Sequence, residues 1–503
     1  MKPLQKQQKQ QEQQGSLQES TLQINVLTIS AICIFFVSIC FVPLGIGSQA
    51  VAAQSGDWTY VIRDAKKGSV GAGAYITKYT GNSTSISLPS KLGGQPVVSA
   101  RLTNTKKKLT QVGCTSATSL RELNVKGNSL AHLNLTHNKE LRILEAGSNK
   151  LQSVRLGSKP HLIRVVLSKN NLIAIDASAK STPKISHLDI SNNKFAQFDL
   201  RTTPQIVTFK AAHNRMDKLT MSGAANLKHL NVANNKLKSL SLGGSSKLEY
   251  LNCSKNALTS LNLLKQSRLN TLICSNNKLT SLSVVTLPAL KKLDCSKNDL
   301  TSLILTFNPR LEHLSVSSNK LTTLVVSANP ELNYLACGSN RLEFLNVRSN
   351  RKLETLAVSG NKLALIDVSN STNLKKFSCG SNQLVALDVR KNTKLESLQC
   401  NNNKLVALDV RSNPALKTVR CDKNLLTSIN LANNTRLEKL QCQNNLLTKI
   451  DVSKNKQLNT LYAEKNLFGN IDVRGLHKLK QLRISQGVKV QKNVGTISIK
   501  YVK

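Results

Sequence analysis

The chain is short of aromatic residues, acid, and long apolar runs. Aromatics make up 4% of it, with one tryptophan, Trp58. A compact enzyme core draws heavily on large rings, so this poverty suits a thin, repetitive core better. Acidic residues number 27 against 70 Lys plus Arg, leaving a formal net charge of +43. Such an excess says little about fold but predicts attraction to polyanions: wall polymers, sulfated glycans, anionic membranes or nucleic acid. Beyond the first 53 residues no apolar run is long enough to span a bilayer. Catalytic signatures are missing too, with no Gly-rich phosphate loop, G-x-S-x-G or H-E-x-x-H. The chain is therefore expected to be a non-enzyme without a cofactor or metal.

The length of 503 residues exceeds what one ordinary core supports, so the chain either divides or repeats. Residues 1–53 look like targeting sequence. A Gln-rich start with Lys2, Lys6 and Lys9 precedes the apolar stretch from Ile24 to Gly45, and Ala50-Val51-Ala52-Ala53 offers small residues for cleavage. This segment is a signal peptide or an uncleaved signal anchor, and any membrane contact is expected through it alone. Neither a lipoprotein cysteine nor an LPxTG-like tail accompanies it.

After that segment the chain repeats. Leu248-x-x-Leu251-x-Cys253-x-x-Asn256-x-Leu258 recurs as Leu269-x-x-Leu272-x-Cys274-x-x-Asn277-x-Leu279, every landmark moving by 21 residues. The Asn column runs from Asn128 to Asn466, with one 23-residue step between Asn170 and Asn193. Leu251 and Cys253 alternate with Asn252, the pattern of a strand with one buried face. A unit this short cannot bury that face alone, so each rung must stack on the next. The Asn is read as structural, bonding the backbone of its turn and of the neighbouring rung. The second half of the rung, as in Leu405-Val406-Ala407-Leu408-Asp409-Val410, lacks a helical period and should be extended. The expected fold is mainly β: a solenoid of about 17–18 rungs over 106–487, a small N-terminal β cap over 54–105, and a C-terminal cap over 488–503.

The pattern resembles the leucine-rich repeat family, in particular the 21-residue, cysteine-bearing repeats of internalin-type bacterial surface proteins. The lead-in from Asp57 to Val98, strands between Gly and Pro breaks, resembles that of BspA-type repeats. The resemblance implies an exported, secreted or cell-surface protein that binds a partner adhesin-fashion through the solenoid. A wall-associated scaffold held by charge, and a membrane-anchored repeat protein, remain alternatives.

Three groups of residues are candidates for function. Cys253, Cys274, Cys295, Cys337, Cys379, Cys400, Cys421 and Cys442 share a column with Val232, Val316, Val358 and Ala463. That exchange marks a structural ladder of free thiols, with no His or carboxylate column to make it a metal site. On the strand surface, expected to be concave, Tyr250, Tyr334 and Tyr462 with His187, His229 and His313 are candidate ligand contacts for a protein or glycan. At the turn edge the residue after the ladder Asn is often basic, as in Lys236, Lys278, Lys320, Arg341, Lys362 and Lys404. An anionic wall polymer or glycosaminoglycan fits this column, by counterion release. Nucleic acid is an improbable partner for an exported chain.

Overall fold

Each rung opens with a strand of three residues whose middle side chain points inward. In Tyr250–Asn252 the central Leu251 is fully buried, as is the Cys253 that follows, while Tyr250 and Asn252 are half-buried. Fully burying a leucine contributes about 1.5–3 kcal/mol, but only the next rung can provide that burial. It does so in strict register, with Tyr250 beside Thr271, Leu251 beside Leu272 and Asn252 beside Ile273. A computed structural model of the chain describes residues 52–64, 71–103, 105, 107–178, 180–493 and 497–502. Residues 50–503 form one unit. Of the targeting segment, 1–51 lie outside the described residues.

Parallel pairing carries one 24-stranded sheet along the chain in about 20 turns. The turns exceed the Asn-marked rungs because stacking outlasts the consensus at both ends. Gln95–Arg101 already pairs in parallel with Glu122–Asn124, and Ser498–Val502 pairs in parallel with Gln481–Ser485. Upstream, Ala53–Ser55, Trp58–Arg63 and Gly73–Tyr79 run antiparallel, and the last of these joins Gln95–Arg101 in parallel. The lead-in thus extends the solenoid's own sheet, with Trp58 packed on Tyr79 at 5.1 Å between ring centroids.

The rest of most rungs is extended and turns without a regular ladder, short parallel pairs forming only locally, as between His132–Asn134 and Ser153–Arg155 or Gln197–Asp199 and Lys218–Thr220. Leu258, Leu261 and Leu263 bury inward from it, and the described residues contain no α-helix, only a 3-10 turn at Leu200–Thr202. No helix there is long and apolar enough to cross a membrane. The 23-residue step does not disturb the strands, since Arg164 still pairs with His187. Its extra residues are taken up in a turn, where Thr182 N–H donates to Ser178 O and the Ser178 and Ser181 hydroxyls bond at 2.7 Å.

Two asparagine ladders clamp the rungs. In the first, Asn277 Nδ2 donates to Cys274 O of its own turn and to Cys253 O of the preceding rung, both at 3.0 Å. Its Oδ1 accepts the backbone N–H of Leu258, also at 3.0 Å. The same three bonds recur from Asn128 to Asn466. The residue just before this Asn is left-handed on rung after rung, for instance Lys255 at φ 53° and Ser339 at φ 54°. That conformation brings the Asn amide back over its own turn. On two rungs glycine, which adopts it without strain, occupies the position: Gly127, φ 79°, and Gly360, φ 71°.

The second ladder lies on the opposite side of the rung. Asn308 Nδ2 donates to Val284 O and Leu287 O at 2.9 Å, and Asn329, Asn350, Asn392, Asn413, Asn434 and Asn455 repeat this. The Oδ1 atoms of this column are buried without a hydrogen-bond partner.

Candidate functional site

The strand face is where the rungs display side chains that the core does not need. Register places His229 beside Tyr250 and His313 beside Tyr334. The second pair stacks face to face, with ring centroids 4.1 Å apart and planes 6° from parallel. The first is looser, at 6.2 Å and 39°. Beside the tight stack the surface drops, because the next column carries Ser315, buried Ala336 and half-buried Ala357. A ring stack with a floor of small side chains makes a ledge against which a flat or aliphatic group can pack.

The sequence-derived candidates fall into place unevenly. The histidines do not converge on one another, but two of them find a tyrosine on the next rung, a pairing that the 21-residue offset between His229 and Tyr250 already contained. Burial, aided by Lys292, lowers the His313 pKa to about 4, so its ring is neutral at physiological pH. Burial also lowers His187 and His229, and raises Tyr250. Tyr462 stands apart, near the C-terminal end, where Arg483 lies over its ring at 4.3 Å and its hydroxyl donates to Gln481.

The turn-edge cations divide into two sets. Lys320 pairs with Asp299 at 2.7 Å and Lys362 with Glu343 at 3.3 Å. Lys236, Lys278, Arg341 and Lys404 form no salt bridge among the described residues. On the other flank of the strands charge is balanced rung by rung. Lys228 pairs with Glu249, Lys291 with Glu312, Lys375 with Glu354 and Lys417 with Glu396, all at 3.0–3.1 Å. Asp residues that look like scattered turn acids in the sequence form a third column. Asp388, Asp409 and Asp472 each accept the N–H two residues on and a guanidinium, from Arg390, Arg411 and Arg474. Those arginine bonds hold Asp409 and Asp472 down at about 2.

The ladder cysteines are buried, unpaired thiols, and desolvation pushes Cys253 and Cys337 up to about 12. Thiols so protonated are poor nucleophiles and poor metal ligands. Among the described residues no group of three or more His, Cys, Asp or Glu is placed to hold a metal ion. Lys159 is a feature that the sequence pattern hides. It occupies a second-ladder position with its side chain buried, Nζ donating to Ser158 O at 3.1 Å, and burial plus nearby Lys139 lowers its pKa to about 8. Near the C-terminal end Glu438, Gln457, Asn459, His477, Lys478 and Lys480 rim a shallow, open depression.

No family model matches the chain, and no curated protein matches it. Solved structures do. The functional domain of InlJ from Listeria monocytogenes, described as including a cysteine ladder, is 28% identical over 60% of this chain and 69% of that one, with a TM-score of 0.56. YopM, a leucine-rich effector protein from Yersinia pestis, is 26% identical over 65% and 88%, at 0.54. The internalin InlF of Listeria monocytogenes is 24% identical over 54% and 84%, at 0.51, and bears on the fold alone. The chain is thus a leucine-rich repeat solenoid, internalin-like in its short strand-and-turn rungs and in its cysteine ladder.

Proposed function

We propose that this protein is an exported, surface-associated binding protein that recognises a protein or glycan partner through the strand face of its solenoid. The observation that carries this reading is the His313–Tyr334 stack standing beside Ala336 and Ala357. Rigid aromatic groups next to small residues supply contact area at little entropic cost, the usual make-up of a binding hot spot. A neutral His313 adds to that surface without a charge to desolvate. Likeness to InlJ supports a recognition role.

The test is an array of purified glycans and extracellular proteins probed with the full chain at low and high salt, beside Tyr334→Ala and His313→Ala. The reading expects a ligand that survives high salt and weakens at least tenfold in Tyr334→Ala. Binding indifferent to both substitutions overturns it. Export is checked by fractionation, which should place the repeats outside the cell.

The second reading, charge-held retention on an anionic wall polymer or glycosaminoglycan, draws on Lys236, Lys278, Arg341 and Lys404 at the turn edge. It predicts retention on a heparin matrix that falls steeply with salt and that Arg341→Ala with Lys404→Ala weakens further.

A further inference from the structure

Nine of the fifteen large apolar side chains left exposed among the described residues fall on consecutive rungs. Counted from the ladder Asn of each rung, Ile304 and Val325 stand six residues on, and Phe344 and Leu365 four on. Val385 and Val406 stand three on. On the last rungs Leu425, Leu446 and Leu467 take the first position, which many earlier rungs give to Lys or Arg. Each of these side chains is 42–66% exposed, and each lies on the rung after the one before. They therefore form one oblique stripe that crosses the solenoid surface from mid-rung to the turn edge. Single exposed hydrophobes are ordinary, but an unbroken line of them marks a contact surface.

The geometry of the stripe selects its occupant. Rungs rise about 4.8 Å, and a drift of five residues over the whole stripe adds a sideways step of roughly 2 Å per rung, so neighbours are about 5.2 Å apart along the diagonal. The pitch of an α-helix is about 5.4 Å. A helix laid along the stripe would offer one apolar contact per turn, each meeting one rung. Charge decides what flanks those contacts. On the turn side Arg341 and Lys404 border the stripe without a salt bridge among the described residues, and Lys362 borders it paired with Glu343. On the other side Asp388 and Asp409 stand nearest, with Arg390 and Arg411 beyond them, and the chain carries +43 overall. Arg348, Arg390 and Arg411 are matched by Asp367, Asp388 and Asp409, so the unbalanced charge is that of Arg341 and Lys404 on the turn side. Two copies of so basic a chain repel. A bilayer is flat, whereas the stripe passes over the bend that each rung makes at its third position, Val385 and Val406 included. Side chains this exposed present on the order of 1,000 Å² in total, near the ~800 Å² that one partner contributes to a standard interface.

We infer that this stripe docks an acidic amphipathic α-helix of a partner protein, on a surface separate from the strand face. The tertiary stack builds it, and no single sequence column contains it.

The probe is a synthetic helical peptide of roughly 28 residues, long enough at 1.5 Å per residue to run the stripe, with Leu along one face and Glu along both flanks. Its anisotropy is followed with the full chain. Binding is expected, at least tenfold weaker for the same peptide with Lys in place of Glu. It should weaken at least tenfold for the Leu365→Glu, Val406→Glu double variant and stay unchanged for Tyr334→Ala, which separates this surface from the strand face. Leu365→Ser with Val406→Ser repeats the test without new charge, and circular dichroism checks that each variant is folded. The inference is overturned if the peptide does not bind, or if both double variants bind it as the parent chain does. It is equally overturned if the variants abolish binding to phosphatidylglycerol vesicles, or split a dimer seen by light scattering, while leaving the peptide affinity unchanged.

Discussion

The two asparagine ladders carry the same amide and do unequal work. In the first, both ends of the side chain are used: Nδ2 ties two rungs together and Oδ1 satisfies a backbone N–H of the preceding rung. In the second, Nδ2 donates twice while Oδ1 stays buried without a partner. Substitution follows the bonding. No rung between Asn128 and Asn466 departs from Asn in the first ladder. The second admits Ser245, whose hydroxyl reaches Ala224 O, Gln266, whose amide reaches Leu242 O, and the apolar Ala224 and Leu287. A position that must donate twice and also accept has one solution among short side chains, Asn, whereas one that accepts nothing admits a single donor or even an apolar side chain.

The largest expected effect breaks this comparison most directly. Asn277→Ala strands the buried Leu258 N–H and removes one of the two amide bonds at each of Cys253 O and Cys274 O, and should cost about 2–4 kcal/mol. Asn308→Ala leaves Val284 O and Leu287 O with the backbone N–H bonds they accept from Leu287 and Leu290, and removes an unsatisfied oxygen, so about 1–2 kcal/mol is expected. Urea denaturation followed by circular dichroism measures both, and equal costs would show that the acceptor bond contributes nothing. Next in size, Asn308→Ser should cost under about 1 kcal/mol, because Ser245 already serves on another rung, while Asn277→Ser should lose most of what Asn277→Ala loses.

His313 tests whether the strand face tolerates charge as the turn edge does. Its folded pKa lies near 4, below the unfolded value, so the unfolded chain binds the extra proton first. Stability from this group is complete at neutral pH and is lost as pH falls from about 6.5 toward 4. Thermal melts at pH 7 and pH 4.5 should show a smaller acid shift in His313→Gln than in the parent chain. Magnetic resonance should find the ring unprotonated at pH 5. The smallest effect concerns the left-handed residue before the first ladder. Ser339→Gly should stabilise by about 0.5–1 kcal/mol through relieved strain, offset in part by unfolded-chain entropy. Gly360→Ala should destabilise by a similar amount.

Much of the scaffold could be read before any coordinates. The fully repeated Asn, the Leu positions and the exchange of Cys with Val and Ala each state a buried environment in every rung. The left-handed position could not be read, because Ser, Lys, His and Asn all occupy it and backbone geometry leaves no one residue behind. The His–Tyr pairs were present as a 21-residue offset, yet looking down each residue type by itself hid them. The charge-balanced column beside the strands escaped notice for a related reason: its signs alternate from rung to rung, and pairing needs the stack to bring Lys291 to Glu312.

Sequence alone determined the period, the inward face and the Asn clamp, because those demands are local and recur in every 21 residues. Only the tertiary structure decided what neighbours across rungs. It extended one sheet from the lead-in to Ser498–Val502, stacked His313 on Tyr334, and drew single exposed side chains into an oblique stripe. Those features depend on a parallel register that no isolated rung possesses, since a rung has no second face to bury until its neighbour arrives.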